Sequence, residues 1–217
     1  MPRSLFARLR GRRGPERPAA SEYDPLFSGG PEGEAGDDLE AVRDRFARAG
    51  RPFLRSPWTW VGWALVLPGA ALATPEVGAR WGFAGVLLLW SGAILAGGVV
   101  EAASIARAGR REPRGPLAGW VLRMQGNTSL LAVVLSALLL WADAAWALPG
   151  LWLLLLGHSL YLLGGLAFPA FRTCGLLYQA GGLVALWPGG PALRVFAAVT
   201  LAGNLWLAWS VWREVRA

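Results

Sequence analysis

The chain has 217 residues, of which 54% are hydrophobic and only 16% are charged, and its formal net charge is +7. This composition argues against a nucleic-acid-binding protein, because Arg residues in a mostly apolar chain serve as membrane topology signals and contact anionic lipid headgroups. The single cysteine, Cys174, excludes an intrachain disulfide and a multi-cysteine metal site.

The N-terminal region is highly charged. Six Arg residues lie in positions 1–17, and positions 18–40 carry seven acidic residues and no base. We expect residues 1–37 to be disordered, because they cannot bury enough apolar surface to offset the entropy cost of ordering. Residues 38–56 predict a juxtamembrane amphipathic helix at the lipid headgroups. The Arg residues of the tail are expected to contact anionic lipids.

Six apolar segments follow between residues 57 and 212. The clearest is 149–168, which has no formally charged residue and matches the roughly 20 apolar residues that a membrane-spanning helix needs. The full set of predicted spans is 57–74, 82–105, 117–141, 149–168, 173–187 and 191–212. Pro68 is expected to kink or end the first span, and a turn is predicted from Pro75. Residues 213–217 are expected to form a short C-terminal tail.

The distribution of Arg predicts the orientation in the membrane. Arg residues precede the first span and also cluster between the second and third, between the fourth and fifth, and after the sixth. By the positive-inside rule, both termini are cytoplasmic. All 21 basic residues are Arg, and the abundance of Arg, Ala and Gly is typical of a GC-rich bacterial genome. We therefore expect location in a bacterial inner membrane.

The spans share a repeated Pro-Gly pattern, and this pattern predicts three hairpins. Pro68-Gly69 and Pro188-Gly189 each lead towards a helix with Gly in its middle. On this pattern, and best over Gly182-Leu183-Val184-Ala185-Leu186-Trp187-Pro188, the chain resembles the HdeD-like family of small bacterial six-helix membrane proteins. The resemblance covers residues 57–212. It implies an all-α fold of six transmembrane helices, an inner-membrane location and a link to envelope or acid stress, but no catalytic residues.

Four polar residues on different spans are expected at similar membrane depth: Asn127, His158, Gln179 and Asn204. Polar side chains in a bilayer are costly, so each needs a partner or a cavity. One interpretation is a midplane site for a polar solute or a proton, in which His158 titrates. The other, which we favour, is hydrogen bonding that joins the helices, because no formal charge lies at that depth.

Glu101 and Arg123 form a second candidate pair. Both lie one or two turns inside the predicted cytoplasmic ends of adjacent helices. One hypothesis is a partly buried ion pair, and the alternative is that each side chain extends separately to the headgroups. A further alternative places Arg123, Gln125 and Asn127 around an anion or a lipid headgroup.

Motifs for catalysis are nearly absent from the sequence. The stretch Gly157-His158-Ser159 resembles the start of a nucleophile elbow, but adjacent helical residues point about 100° apart, so His158 is not a base for Ser159. We expect no enzyme, no cofactor and no metal. The favoured function is a structural, regulatory or stress-related membrane protein that associates with itself or with a partner through its tail. The alternative is a small-solute or proton-linked transporter.

Overall fold

The protein is all-helical over the residues that the computed structural model describes, which are 56–109, 116–166 and 168–216. These residues form five α-helices, with a single 3-10 turn at Ala145–Ala147 and no strand. The helices are α1 Pro57–Gly109, α2 Pro116–Trp141, α3 Leu148–Leu166, α4 Pro169–Ala185 and α5 Ala192–Arg216. The all-α prediction is confirmed for this part of the chain. The predicted tail (1–37) and residues 38–55 of the amphipathic helix lie outside it.

Helix α1 has one interruption, at Gly82, where the backbone is non-helical with φ 62° and ψ −158°. The indole Nε1 of Trp63 donates a hydrogen bond to Glu101, 38 residues further along the chain. In a straight helix these residues would lie about 57 Å apart. The two halves of α1, 57–81 and 83–109, therefore lie side by side, and the chain reverses at Gly82.

The predicted seven-residue turn from Pro75 to Trp81 is helical, and the chain reverses directly after it, at Gly82. Pro68 and Pro75 both lie inside α1, and neither ends the first half. Proline keeps a φ close to the helical value and loses only one backbone hydrogen bond, which membrane helices tolerate. The positive φ at the reversal is accessible to glycine and strained for other residues, so Gly82 marks the turn instead.

The core lies where α1, α3, α4 and α5 pack together. Helix α1 packs mainly on α5, and α4 packs on both α3 and α5, whereas α2 packs mainly on α3. The side chains at the centre of these contacts are fully or almost fully buried: Leu153, Phe171, Cys174, Tyr178, Leu207 and Val211. Many large apolar side chains on the outer faces are exposed, as expected for helices surrounded by lipid.

Helices α3 and α4 approach closely along a row of glycines. A Cβ added to Gly157 would lie 2.7 Å from the Gly175 carbonyl oxygen, and one at Gly150 would lie 2.9 Å from the Gly182 carbonyl oxygen. At Gly164 the added atom would lie 2.2 Å from the backbone nitrogen of Arg172. Only glycine fits at these contacts, because the opposing atoms belong to the backbone.

Four segments of the described chain are long and apolar enough to cross a membrane: Pro57–Ser104, Arg123–Trp141, Ala145–Gly165 and Ala192–Glu214. They indicate a membrane protein with several spans. The sequence predicts six membrane-spanning helices, whereas four described segments are long and apolar enough. Two predicted spans lie within α1, on either side of Gly82, and α4, at 17 residues, is shorter than the other helices. Residues 213–216 of the predicted C-terminal tail continue α5.

Candidate functional site

The helices line a cavity of about 1470 Å³. Both halves of α1 contribute to its wall, together with α2, α3 and α5 and two residues of α4. Most lining side chains are apolar, and five tryptophans are among them: Trp60, Trp63, Trp90, Trp146 and Trp152. Typical small-molecule sites measure about 300–1,000 Å³. The cavity is therefore large enough for a bulky apolar molecule.

Two charged residues of the described chain line this cavity, Glu101 and Arg194. Glu101 lies level with Trp63, to which it is hydrogen-bonded. Arg194 lies near the level of Thr74, because Trp90 bonds the Thr74 hydroxyl and also packs on Phe196. The helix rise from Trp63 to Thr74 is about 16 Å. The two charges are thus near opposite ends of the cavity.

The Glu101 carboxylate is held by the indole of Trp63, whose Nε1 donates to Oε2 at 3.3 Å. The indole ring lies against Gly97, where an added Cβ would come within 2.3 Å of the ring. Gly97 therefore provides the space that the ring occupies. Glu101 is half-buried, and one indole N–H leaves most of the acceptor capacity of a carboxylate unused.

Two tryptophans of the cavity wall make equivalent hydrogen bonds. Trp90 Nε1 donates to Thr74 Oγ1 at 3.0 Å, and Trp152 Nε1 donates to Ser136 Oγ at 3.1 Å; both pairs are 16 residues apart. Each hydroxyl in turn donates to the carbonyl oxygen four residues earlier, at 2.7 Å. The separation along the chain from Thr74 to Ser136 is the same as that from Trp90 to Trp152. The two halves of α1 thus correspond to the pair α2 and α3.

The same interval relates another contact on the wall. When positions are shifted by this interval, Trp63 corresponds to Gln125 and Gly97 corresponds to Ser159. Ser159 Oγ donates to Gln125 Oε1 at 2.7 Å, and Ser159 is only 2% exposed. A polar pair in one repeat therefore replaces the tryptophan–glycine contact of the other. This bond joins α2 to α3 beside the cavity.

Asn204 is 3% exposed and lines the cavity from α5. Its side chain interacts with the Tyr178 hydroxyl, while its Nδ2 lacks a hydrogen-bond partner in the described structure. Trp60 Nε1 is also buried without a partner, and its ring packs on Phe171 at a centroid distance of 5.3 Å. An unsatisfied buried donor is costly. The cavity wall therefore holds two donors that are not paired in this conformation.

The four predicted midplane residues lie in different surroundings. Asn127 and His158 are exposed, Gln179 is half-buried beside Gly157, and only Asn204 lies on the cavity wall. Within the described part of the chain, no hydrogen bond joins any two of these four side chains. The cavity instead displays residues that the sequence analysis did not single out as a site: Trp63, Thr74, Trp90, Ser136, Trp152 and Tyr178. The equal spacing of tryptophan and hydroxyl residues is the sequence signal for them.

Glu101 and Arg123 lie in different surroundings. Glu101 lies on the cavity wall and accepts from Trp63, whereas Arg123 has an exposed side chain on α2. The predicted ion pair between them stays a prediction. Among the described residues, no group of three or more His, Cys, Asp or Glu side chains is arranged to hold a metal ion.

Comparison with known proteins gives no relative for this chain. No protein-family model, curated protein or solved structure matches it. The HdeD-like resemblance therefore stays a prediction.

Proposed function

We propose that the chain crosses a bacterial inner membrane six times as three hairpins, with both termini in the cytoplasm. The turn within each of the three hairpins carries one residue with positive φ: Gly82, Asp143 and Gly189. Contacts between helices support the placement of five described Arg residues at the end where the chain enters α1: Arg107, Arg123, Arg172, Arg213 and Arg216. Among the described Arg residues, Arg80 and Arg194 alone lie towards the other end, a bias that favours a cytoplasmic first end.

Two of these Arg residues stack on aromatic rings. The Arg172 guanidinium lies 4.9 Å from the Tyr161 ring centroid, and that of Arg213 lies 4.8 Å from the Trp209 centroid. Aromatic and basic side chains together are enriched at the membrane interface. These pairs support contacts with anionic headgroups at the cytoplasmic face. The tail, with its own Arg residues, belongs to the same face and is the proposed contact for a protein partner or a second copy.

Within this topology the protein is a non-enzymatic, regulatory membrane protein that binds an amphiphilic molecule in its central cavity. The observation that carries this function is a cavity of about 1470 Å³ with tryptophan-rich walls and few polar groups. A ligand with an apolar body gains by leaving water for such a site. The Ser159 hydroxyl bonds to Gln125 rather than to a base, which supports a role without nucleophilic chemistry.

A transporter for small polar solutes ranks second. Such a transporter needs a polar path to a polar site, and most coupled transporters use an intramembrane carboxylate. Glu101 on the cavity wall favours this alternative. Against it stand the apolar character of the wall and the exposed positions of His158 and Asn127.

Filling the cavity tests the proposed function. Gly98 lines the cavity, and a Cβ added there meets nothing within 4 Å, so Gly98→Phe places a ring in the cavity without a backbone clash. Gly92, on the same half of α1, is equally open but does not line the cavity, so Gly92→Phe is the matched control. Energy transfer from tryptophan to the neutral probe N-phenyl-1-naphthylamine measures occupancy in purified full-length protein.

We expect saturable binding of the probe by the wild-type protein and by Gly92→Phe. Binding by Gly98→Phe should be about tenfold weaker or more, which corresponds to about 1.4 kcal/mol. Thermal unfolding of both variants checks that the fold is retained. Equal saturable binding by the two variants, or none in the wild type, would refute the proposed function.

A further inference from the structure

We infer that the ligand of this cavity is a lipophilic cation, whose positive charge lies at Glu101 and whose apolar body lies against the tryptophans. This inference rests on the proposed function, since it names the chemical class of molecule that the cavity takes up. Three features of the wall support it: an under-satisfied carboxylate, several tryptophan side chains, and an opposite charge at the far end.

The first feature is the carboxylate. Glu101 is half-buried in a wall that is mostly apolar, and the hydrogen bond that the structure gives it comes from Trp63. A carboxylate in such surroundings is stabilised by a counter-charge. A cation in the cavity supplies that charge and occupies acceptor positions that one indole N–H leaves open.

The second feature is the aromatic lining. Trp60 and Trp63 lie near the Glu101 end, and Trp90 and Trp152 lie further along the wall. Tryptophan is the strongest side chain for attraction of a cation to an aromatic face. Its large apolar surface also binds the hydrocarbon part of the same ligand. A carboxylate beside several indoles thus suits a charge that is surrounded by apolar groups, rather than a small hydrated ion.

The third feature is Arg194, the other charged residue on the wall. It lies near the level of Thr74, about 16 Å of helix rise from the level of Trp63. A positive ligand is repelled from that end and attracted to Glu101. The two charges therefore orient a monovalent cation, with its charge towards the end of the bundle where the chain enters α1.

The test uses two ions of equal shape and opposite charge, tetraphenylphosphonium and tetraphenylborate. Equilibrium binding of each is measured on purified full-length protein in neutral detergent. Glu101→Gln removes the charge but keeps the shape. Glu76→Gln is the matched control, because Glu76 is exposed, pairs with Arg80 at 2.6 Å and does not line the cavity.

We expect the wild-type protein and Glu76→Gln to bind tetraphenylphosphonium at least about tenfold more tightly than tetraphenylborate. In Glu101→Gln this preference should be lost. Thermal unfolding of Glu101→Gln close to that of the wild type shows that its fold is retained. Equal affinity of the wild type for both ions, or an unchanged preference in Glu101→Gln, would overturn the inference.

The neutral probe separates this failure from failure of the proposed function. If the probe binds and Gly98→Phe blocks it, but charge has no effect, the cavity binds neutral amphiphiles and only the inference is wrong. If neither the probe nor the phosphonium binds saturably, both are wrong.

Discussion

Two hydroxyl side chains on the cavity wall, those of Thr74 and Ser136, accept hydrogen bonds from tryptophan. Ser136 accepts from Trp152 Nε1 at 3.1 Å and donates to the Ala132 carbonyl oxygen at 2.7 Å. Ser136→Ala removes the hydroxyl acceptor and leaves the indole N–H of Trp152 without this hydrogen bond. We expect a loss of about 1 kcal/mol in the free energy of unfolding, because interhelical hydrogen bonds in membrane proteins are individually modest.

The control is Ser136→Thr, since the equivalent position of the first repeat is Thr74, which makes the same two bonds. This variant should unfold close to the wild type. Reversible unfolding in mixed detergent, followed by tryptophan fluorescence, measures both. If the two variants lose equal stability, the hydrogen bond is not the source of the effect.

At the residue scale, the sequence predicts which polar side chains are costly in a membrane but not where they point. Asn204 was identified by its predicted depth and is buried, whereas Asn127 and His158 were identified in the same way and are exposed. The direction of a side chain depends on how its helix is rotated against its neighbours. In helices that are apolar on all sides, periodicity does not define that rotation.

At the element scale, the α3–α4 contact depends on glycine. An added methyl group at Gly157 would lie 2.7 Å from the Gly175 carbonyl oxygen and 2.8 Å from the Gln179 nitrogen, so α3 and α4 must separate to admit it. We expect Gly157→Ala to destabilise the protein by about 1–3 kcal/mol, as overpacking does in tight cores. The same unfolding measurement tests this value.

Gly165 is the matched control on the same helix. A Cβ there meets nothing within 4 Å, so Gly165→Ala should be neutral or slightly stabilising, because alanine has the higher helix propensity. Opposite signs for the two substitutions would establish that close approach of α3 and α4 causes the difference. Equal small effects would mean that the helices adjust freely.

The boundary between the two halves of α1 shows why part of the fold could not be predicted from the sequence. The apolar segments predicted helices correctly, but the first turn was predicted over residues 75–81, which are helical, and the chain reverses at Gly82. Proline is a strong helix breaker in water, because it removes a backbone hydrogen bond and its ring clashes with the carbonyl group four residues earlier. Within a packed membrane bundle, neighbouring groups compensate, and a glycine with positive φ decides where the chain turns.

At the scale of the whole molecule, the repeat relation and the cavity have a common origin. The two halves of α1 and the pair α2–α3 each contribute an equivalent tryptophan–hydroxyl pair, and all four of these residues line the same cavity. The cavity is thus the space between two related units, with α5 contributing Asn204 and Arg194. The repeated Pro-Gly pattern predicts tandem hairpins, but not a cavity between them, because the contacts that shape the cavity join distant segments.

The proposed topology makes a prediction about the two sides of the membrane within α1. Because the chain reverses at Gly82, Arg80 and Arg107 are predicted on opposite sides of the membrane, one in each half of α1. Single cysteines at these positions report their location, since both side chains are exposed. The native Cys174 is 1% exposed and should not react, so the wild-type protein is the blank.

A membrane-impermeant maleimide applied to intact spheroplasts should label Arg80→Cys and leave Arg107→Cys unlabelled. After lysis, both should react. This result follows from the excess of Arg at the Arg107 end, which the positive-inside rule assigns to the cytoplasm. Labelling of Arg107→Cys alone in intact spheroplasts would invert the orientation. Labelling of both from outside would contradict two crossings by α1 and, with them, the six-span topology in which the cavity lies within the membrane.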